Sequence, residues 1–357
     1  MKSRICIVTT RTINDSPCLD KYKNIIDRPY DIIYWAKGEK DRECGATNVF
    51  KYEGVVPTEG GKIQKILHYL KFTRFVKKII RNNQYEKLII YPTQMAWMIR
   101  GLLKGKYKGK YLYDIRDYVG EDNKIIGKLT AEAVNNAGLC SITCPAYRKF
   151  LPDRNDYVIS HNIQPIDEEI VQTYRSRGKH EGTIRLSFIG TVRFFPQLER
   201  IIKVFGNDER FSLHFIGRGS EKLKEFCEKG NYLNVELIGQ FDRSELGQFY
   251  LNSDMAINLY GNDRPALVYA LSNKLYSAAL MGMPLLASPG TYTAEIVDKY
   301  GIGFVVDLDD KLIVDQLYKY YRDLNYNSFL SCCNQFIEQV KCQEDDYSQK
   351  VYEYIVK

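Results

Sequence analysis

Short apolar runs alternate with longer stretches of helical periodicity through the first half of the chain. The segments Ile5–Thr9, Asp31–Trp35, Asn48–Tyr52, Lys87–Tyr91, Lys110–Ile115 and Ser141–Cys144 are rich in Ile, Val and Tyr and predict strands. Helical patterns lie between them, clearest at Ile63–Arg81 and Ile125–Ala137. This alternation predicts βαβ units and a parallel sheet, because parallel neighbours need a crossover long enough to bring the chain back.

Residues 150 to 183 interrupt the pattern with Pro152, Pro165, Gly178, Gly182 and mixed charges. They predict a connection between domains with a short strand at Tyr157–Ser160. The alternation then restarts. Strands are expected at Ile184–Ile189, Phe211–Ile216, Val235–Ile238, Met255–Leu259, Pro284–Ala287 and Gly303–Val306, and helices at Gln197–Phe205, Ser244–Ser253 and Asn273–Met281. Asp310–Lys357 reads as mostly helical. A chain of 357 residues exceeds the size at which one core keeps growing, so two doubly wound α/β domains in tandem are predicted.

Composition changes this picture little. Hydrophobic residues at 45% and charged residues at 27% are ordinary for a globular chain. No apolar run reaches the roughly 18 residues that a membrane span needs. Met1–Thr10 reads as a strand and not as a signal peptide. The nine cysteines are scattered with no C-x-x-C pair, which favours buried thiols in a reducing cytoplasm. Cys140 and Cys144 have no second pair at finger-like spacing, so no metal site is expected.

Charge is more informative. The net charge is +7, and Lys62, Lys65, Lys71, Arg74, Lys77, Lys78 and Arg81 follow one another with no acidic residue between. Five more basic residues lie between Arg100 and Lys110, again without an acid. The 62–81 helix also carries Ile63, Ile66, Leu67, Leu70, Phe75, Val76 and Ile79. Two readings stand: a basic amphipathic helix on an anionic membrane surface, or a core-packed helix with a solvated basic face. No aromatic-basic recognition motif accompanies the charge, so no nucleic-acid partner is expected.

Ligands of open parallel sheets bind beyond the carboxyl ends of the strands. In the second half that edge holds Gly190-Thr191-Val192-Arg193, where the backbone can approach a ligand and Arg193 can pair with a phosphate. It also holds Gly217-Arg218-Gly219-Ser220, a G-x-G too short for a dinucleotide fingerprint. Ser272-Asn273-Lys274 opens a helix whose free N–H groups and adjacent lysine suit a phosphate. The fourth segment is Pro289–Thr293 with Glu295. In the first half, Asp114-Ile115-Arg116-Asp117 places Asp117 just past a strand, where its carboxylate could take a proton from a hydroxyl or form a structural pair or a helix cap.

The stretch Ser272–Ser288 (SNKLYSAALMGMPLLAS) resembles the P-x-K-L-x-E-Y-x-A-x-G-x-P-V-I-A-S segment of bacterial GT-B glycosyltransferases, the GT4-like group above all. Phe188-Ile189-Gly190-Thr191, Phe215–Gly219, Val235–Gly239 and Leu251–Ile257 are similar to further elements of their C-terminal domain, and Asp114–Asp117 to a D-x-R-D of their N-terminal domain. The resemblance implies the GT-B fold, two Rossmann-like domains facing across a cleft. The expected division is 1–160 for the acceptor, 161–340 for the donor, and a closing helix, 341–357, packing back on the first domain. It further implies metal-independent transfer from a nucleotide-sugar, here a UDP-sugar as substrate with no cofactor, to a saccharide or lipid-linked saccharide in surface-polysaccharide assembly.

Carried over by position, Gly190, Arg193 and Lys274 would face the diphosphate, with Thr191, Ser272 and Asn273 beside them. Gly217 and Arg218 would lie near the base, Asp117 would serve the acceptor, and Asp114 and Arg116 would help to bind it. Tyr269 and Ser277 stand where the family often has two glutamates for sugar and ribose. That departure opens a rival reading, a non-catalytic partner of the same fold. A nucleotide-sugar epimerase is a further rival, with His161, one of four histidines (His68, His161, His180, His214), near the connection.

Overall fold

The structure, a computed structural model, describes residues 5–36, 42–54 and 62–356. Met1–Arg4 of the predicted N-terminal strand segment and the side chain of Lys62 lie outside the described residues. The chain divides into a first unit, Met1–His161 with Cys342–Lys357, and a second unit, Asn162–Lys341.

The first unit is built on seven parallel strands: β1 (Ile5–Val8), β2 (Tyr30–Ala36), β3 (Asn48–Glu53), β4 (Lys87–Ile90), β5 (Tyr111–Ile115), β6 (Leu139–Ile142) and β7 (Tyr157–Ile159). Their order is β3-β2-β1-β4-β5-β6-β7. The central strands β1, β2 and β5 are buried along their whole length, which is why they read as unbroken apolar runs. Tyr347, Val351 and Ile355, from the end of the helix Tyr326–Val356, join the same core as Ile5, Tyr22 and Ile32. The sixth strand lies a little earlier than Ser141–Cys144. The helix Lys124–Asn136 ends at Ala137, the chain enters the sheet at Leu139, and Pro145 starts a 3-10 turn that takes Cys144 out of it.

The second unit has six parallel strands: β8 (Ile184–Ile189), β9 (Phe211–Ile216), β10 (Val235–Ile238), β11 (Met255–Asn258), β12 (Leu285–Ala287) and β13 (Gly303–Val305). The order β10-β9-β8-β11-β12-β13 turns back between β8 and β11. The region expected to be a loose connection contains a helix, Glu168–Arg177. Its local signal is clear in retrospect: Asp167 caps it, accepting from the Glu169 amide at 2.9 Å, and Glu168 and Glu169 complement the dipole. Val171 and Tyr174 enter the core, and Arg175 Nε donates to the Leu280 carbonyl at 3.0 Å.

Candidate functional site

In an open sheet, the place where strand order reverses leaves a crevice between two diverging loops. In the second unit those loops follow β8 and β11. The ladder continues past the strand ends, since Gly190 N donates to Ile216 O at 2.8 Å and Val192 N to Arg218 O at 3.0 Å. Gly190, Gly217 and Gly219 have φ of +126°, +132° and +101°. A Cβ on Gly217 would lie 2.0 Å from Gly190 O, and one on Gly219 2.5 Å from Val192 O. Close loop-to-loop packing therefore accounts for the G-x-G. Gly217→Ala combines that clash with an unfavourable φ and is expected to cost about 3 kcal/mol of stability. Arg218→Ala, at an exposed position, should stay within about 0.5 kcal/mol in the same denaturant titration.

Gly190 faces open space. Among the described residues other than its chain neighbours, the one heavy atom within 4 Å of a Cβ built there is Lys274 Nζ, at 3.9 Å. Lys274 is only 7% exposed. Its ammonium lies 4.0 Å above the Phe188 ring and 4.8 Å from the Tyr260 ring centroid, and donates to Tyr260 Oη at 2.5 Å. Phe188 and Phe194 both meet Tyr260 edge-on, so the rings hold one another. Among the described residues no carboxylate forms an ion pair with Lys274. The helix Asn273–Met281 sets this lysine: Ser272 caps it by accepting from the Lys274 amide at 3.2 Å, and Gly282 closes it in the left-handed conformation. A buried ammonium with unused N–H donors at a helix N-terminus is equipped to bind an anion.

The other residues expected at the donor site are placed as follows. Thr191, Arg193 and Arg218 are exposed near the same strand ends, with Arg193 5.2 Å above the Phe194 ring. The Asn273 side-chain oxygen accepts from Asn162 at 2.7 Å. Tyr269 is half-buried at the end of the short helix Pro265–Tyr269. Ser277 is a correction: it is 2% exposed beside Tyr250, because its helix is buried on nearly every side, so its hydroxyl is closed to a ligand. Sequence reasoning passed over Tyr260, although it sits just past a predicted strand at the ligand-binding edge, and named Phe188 only as part of a strand and not as a site residue. Next to Tyr260 opens a cavity of about 570 Å³, lined among others by Phe194, Gln197, Asn262, Arg264 and Asp307.

In the first unit the D-x-R-D segment separates into two kinds of residue. Asp114 is fully buried and accepts from Tyr22 Oη (2.8 Å), Ser141 Oγ (2.9 Å) and Arg116 Nε (3.0 Å). Arg116 is spent on this carboxylate and on Ser160. Asp114 and Arg116 thus brace β5 and do not present themselves to an acceptor, because β5 is an inner strand covered on both faces. Asp117 lies beyond the strand, half-exposed, and its carboxylate accepts from Arg11 Nη2 at 2.9 Å. Nearby, burial raises the Glu121 carboxyl, which accepts from the Val119 amide at 2.7 Å.

His161 belongs to a buried cluster within the first unit. Its Nε2 is 2.6 Å from Gln343 Oε1, and Lys21 bridges Glu344 (2.6 Å) and Ser160 (3.2 Å). Burial pushes the imidazole down to about 4. Between that value and the unfolded ~6.5, the unfolded chain binds the extra proton, so stability rises with pH across the window. Lowering the pH from about 6.5 to 4 should remove about 2–3 kcal/mol, and His161→Gln should flatten that slope in urea titrations at a series of pH values.

No protein-family model and no curated protein matches the chain. Solved structures do match over nearly its whole length. HepE of Anabaena, solved in complex with UDP, superposes with a TM-score of 0.70 at 13% identity, covering 98% of this chain and 100% of that one. Sucrose-phosphate synthase of Thermosynechococcus elongatus gives 0.70 at 11% identity, covering 98% of each. WaaG, a glycosyltransferase involved in lipopolysaccharide biosynthesis, gives 0.64 at 12% identity, again covering 98% of each. With its two parallel-sheet Rossmann-like units, the chain has the fold of the GT-B glycosyltransferases.

Proposed function

We propose that this protein transfers a glycosyl group from a nucleotide-diphosphate sugar, a UDP-sugar, to a saccharide or lipid-linked saccharide in the assembly of a surface polysaccharide. The observation that carries the reading is the Lys274 ammonium, buried among aromatic rings with N–H donors to spare beside the open space over Gly190. A diphosphate placed there meets a full charge and the amides at a helix N-terminus. The adjoining cavity is within the size range of small-molecule sites. The complexes of HepE with UDP and with UDP-glucose support the choice of donor.

In the reaction, the bond between the sugar's anomeric carbon and the diphosphate oxygen breaks as the acceptor oxygen bonds to that carbon. The electron pair leaves with the diphosphate, where Lys274 and Arg193 offset the growing charge. The acceptor's proton passes to Asp117, which Arg11 orients. This route uses no metal and no cofactor, and fits a cytoplasmic enzyme.

The rival reading, a non-catalytic partner of the same fold, is favoured by two observations: Tyr269 stands where the resemblance implies an acid, and Ser277 is closed to ligands. Calorimetry with UDP, GDP, ADP, CMP and TDP, without metal and then with Mg²⁺, separates the two. A preference for one nucleoside diphosphate supports transfer. Absence of binding to all of them supports the non-catalytic partner.

A further inference from the structure

The helix Lys62–Asn83 has two apolar faces, and only one is covered. In its second half Phe72, Val76, Ile79 and Ile80 are buried. In its first half Ile63, Ile66, Leu67 and Leu70 are exposed by 74, 57, 51 and 47%. Their spacing, i, i+3, i+4 and i+7, makes one continuous stripe. Arg74, Lys77 and Arg81 follow Ile63 by about three, four and five whole turns, so they extend the same face, with Lys71 and Lys78 at its margin. This face is apolar over its first two turns and cationic thereafter.

We infer that this face is a membrane-binding surface for anionic lipid. Lying flat in the interface, this face would sink its apolar stripe, about 10 Å long at 1.5 Å per residue, below the headgroups. The arginine and lysine band beyond it would then lie level with the lipid phosphates. Charge complementarity favours lipid over a protein partner: the segment 62–81 contains no acid, whereas protein interfaces are depleted in lysine. Among the described residues no helix is long and apolar enough to cross a membrane, so the contact is peripheral. The second basic run contributes less, since Leu103 and Tyr107 within it are buried and offer no apolar stripe, and Arg100 is held by both oxygens of Glu132, at 3.0 and 3.1 Å. This inference stands apart from the reading of the donor site.

Sedimentation with vesicles tests it. The full-length protein is expected to bind vesicles of phosphatidylcholine and phosphatidylglycerol at least tenfold more strongly than vesicles of phosphatidylcholine alone. Leu67→Glu with Leu70→Glu, both at exposed positions, should abolish binding with an unchanged thermal melt. Arg74→Gln with Lys77→Gln and Arg81→Gln should weaken it by about fivefold per charge. Gln at Lys104, Lys106, Lys108 and Lys110 should change it much less. Equal binding to both vesicle types, no binding by the unaltered protein, or full binding by either helix variant would overturn the inference. So would a concentration-dependent dimer that Leu67→Glu dissociates while vesicle binding is absent, which would make the stripe a contact between copies.

Discussion

Lys274→Met is expected to weaken nucleoside diphosphate binding by roughly tenfold to a hundredfold and to lower kcat by about 10²–10³. Methionine, one atom shorter, replaces the aliphatic stem and removes the charge together with the hydrogen bond to Tyr260. Stability should move the other way. The ammonium is 7% exposed and has no ion-pairing carboxylate among the described residues, so its removal relieves a desolvation cost that the ring contacts and the Tyr260 hydrogen bond offset only in part, and the variant should melt no lower than the parent. A lysine that served only to hold the fold would give the opposite result, a lower melting temperature with diphosphate affinity intact. Isothermal calorimetry and thermal denaturation on one preparation distinguish the two.

The second large effect contrasts two aspartates of one short motif. Asp114→Ala should destabilise the first unit by about 3–5 kcal/mol, because it strands the partly buried Arg116 and removes the acceptor of Tyr22 and Ser141. Against a typical total stability of about 5–15 kcal/mol that is a large fraction, readable as a lower urea midpoint. Asp117→Asn should do the reverse. Its exposed pair with Arg11 contributes at most about 1 kcal/mol, so the midpoint barely moves, while kcat falls by about 10²–10⁴ if the carboxylate takes the acceptor's proton. A variant of Asp117 with full activity would remove the residue from the mechanism and leave the donor site untouched.

The sequence made some of this visible and hid the rest for definite reasons. The glycines after β8 and β9 were evident as turn residues at a ligand-binding edge, but their purpose was not. Gly217 is required by the carbonyl of Gly190, a contact between loops that no local pattern encodes. Lys274 was legible because an N-cap and a charge adjoin one another in the chain. Its aromatic surroundings were not, since Phe188 lies on β8 and Tyr260 just past β11, two strands that meet only in the folded sheet. The helix Glu168–Arg177 was missed because nearby prolines and glycines suggested a linker, while its cap and first-turn acids were the better signal.

What the sequence by itself determined is the order of strands and helices, the division into two α/β units and the glycine and capping positions that end the elements. These follow from hydrophobic periodicity and backbone preference, which act over a few residues. Tertiary structure decided which polar groups are spent and which remain available. It buried Asp114 and Ser277, left Asp117 at a strand end and placed Lys274 beside an open space. It covered one apolar face of the Lys62–Asn83 helix and left the other bare. Burial and partnership depend on residues brought together from distant parts of the chain, and so they become readable only once the sheet orders are known.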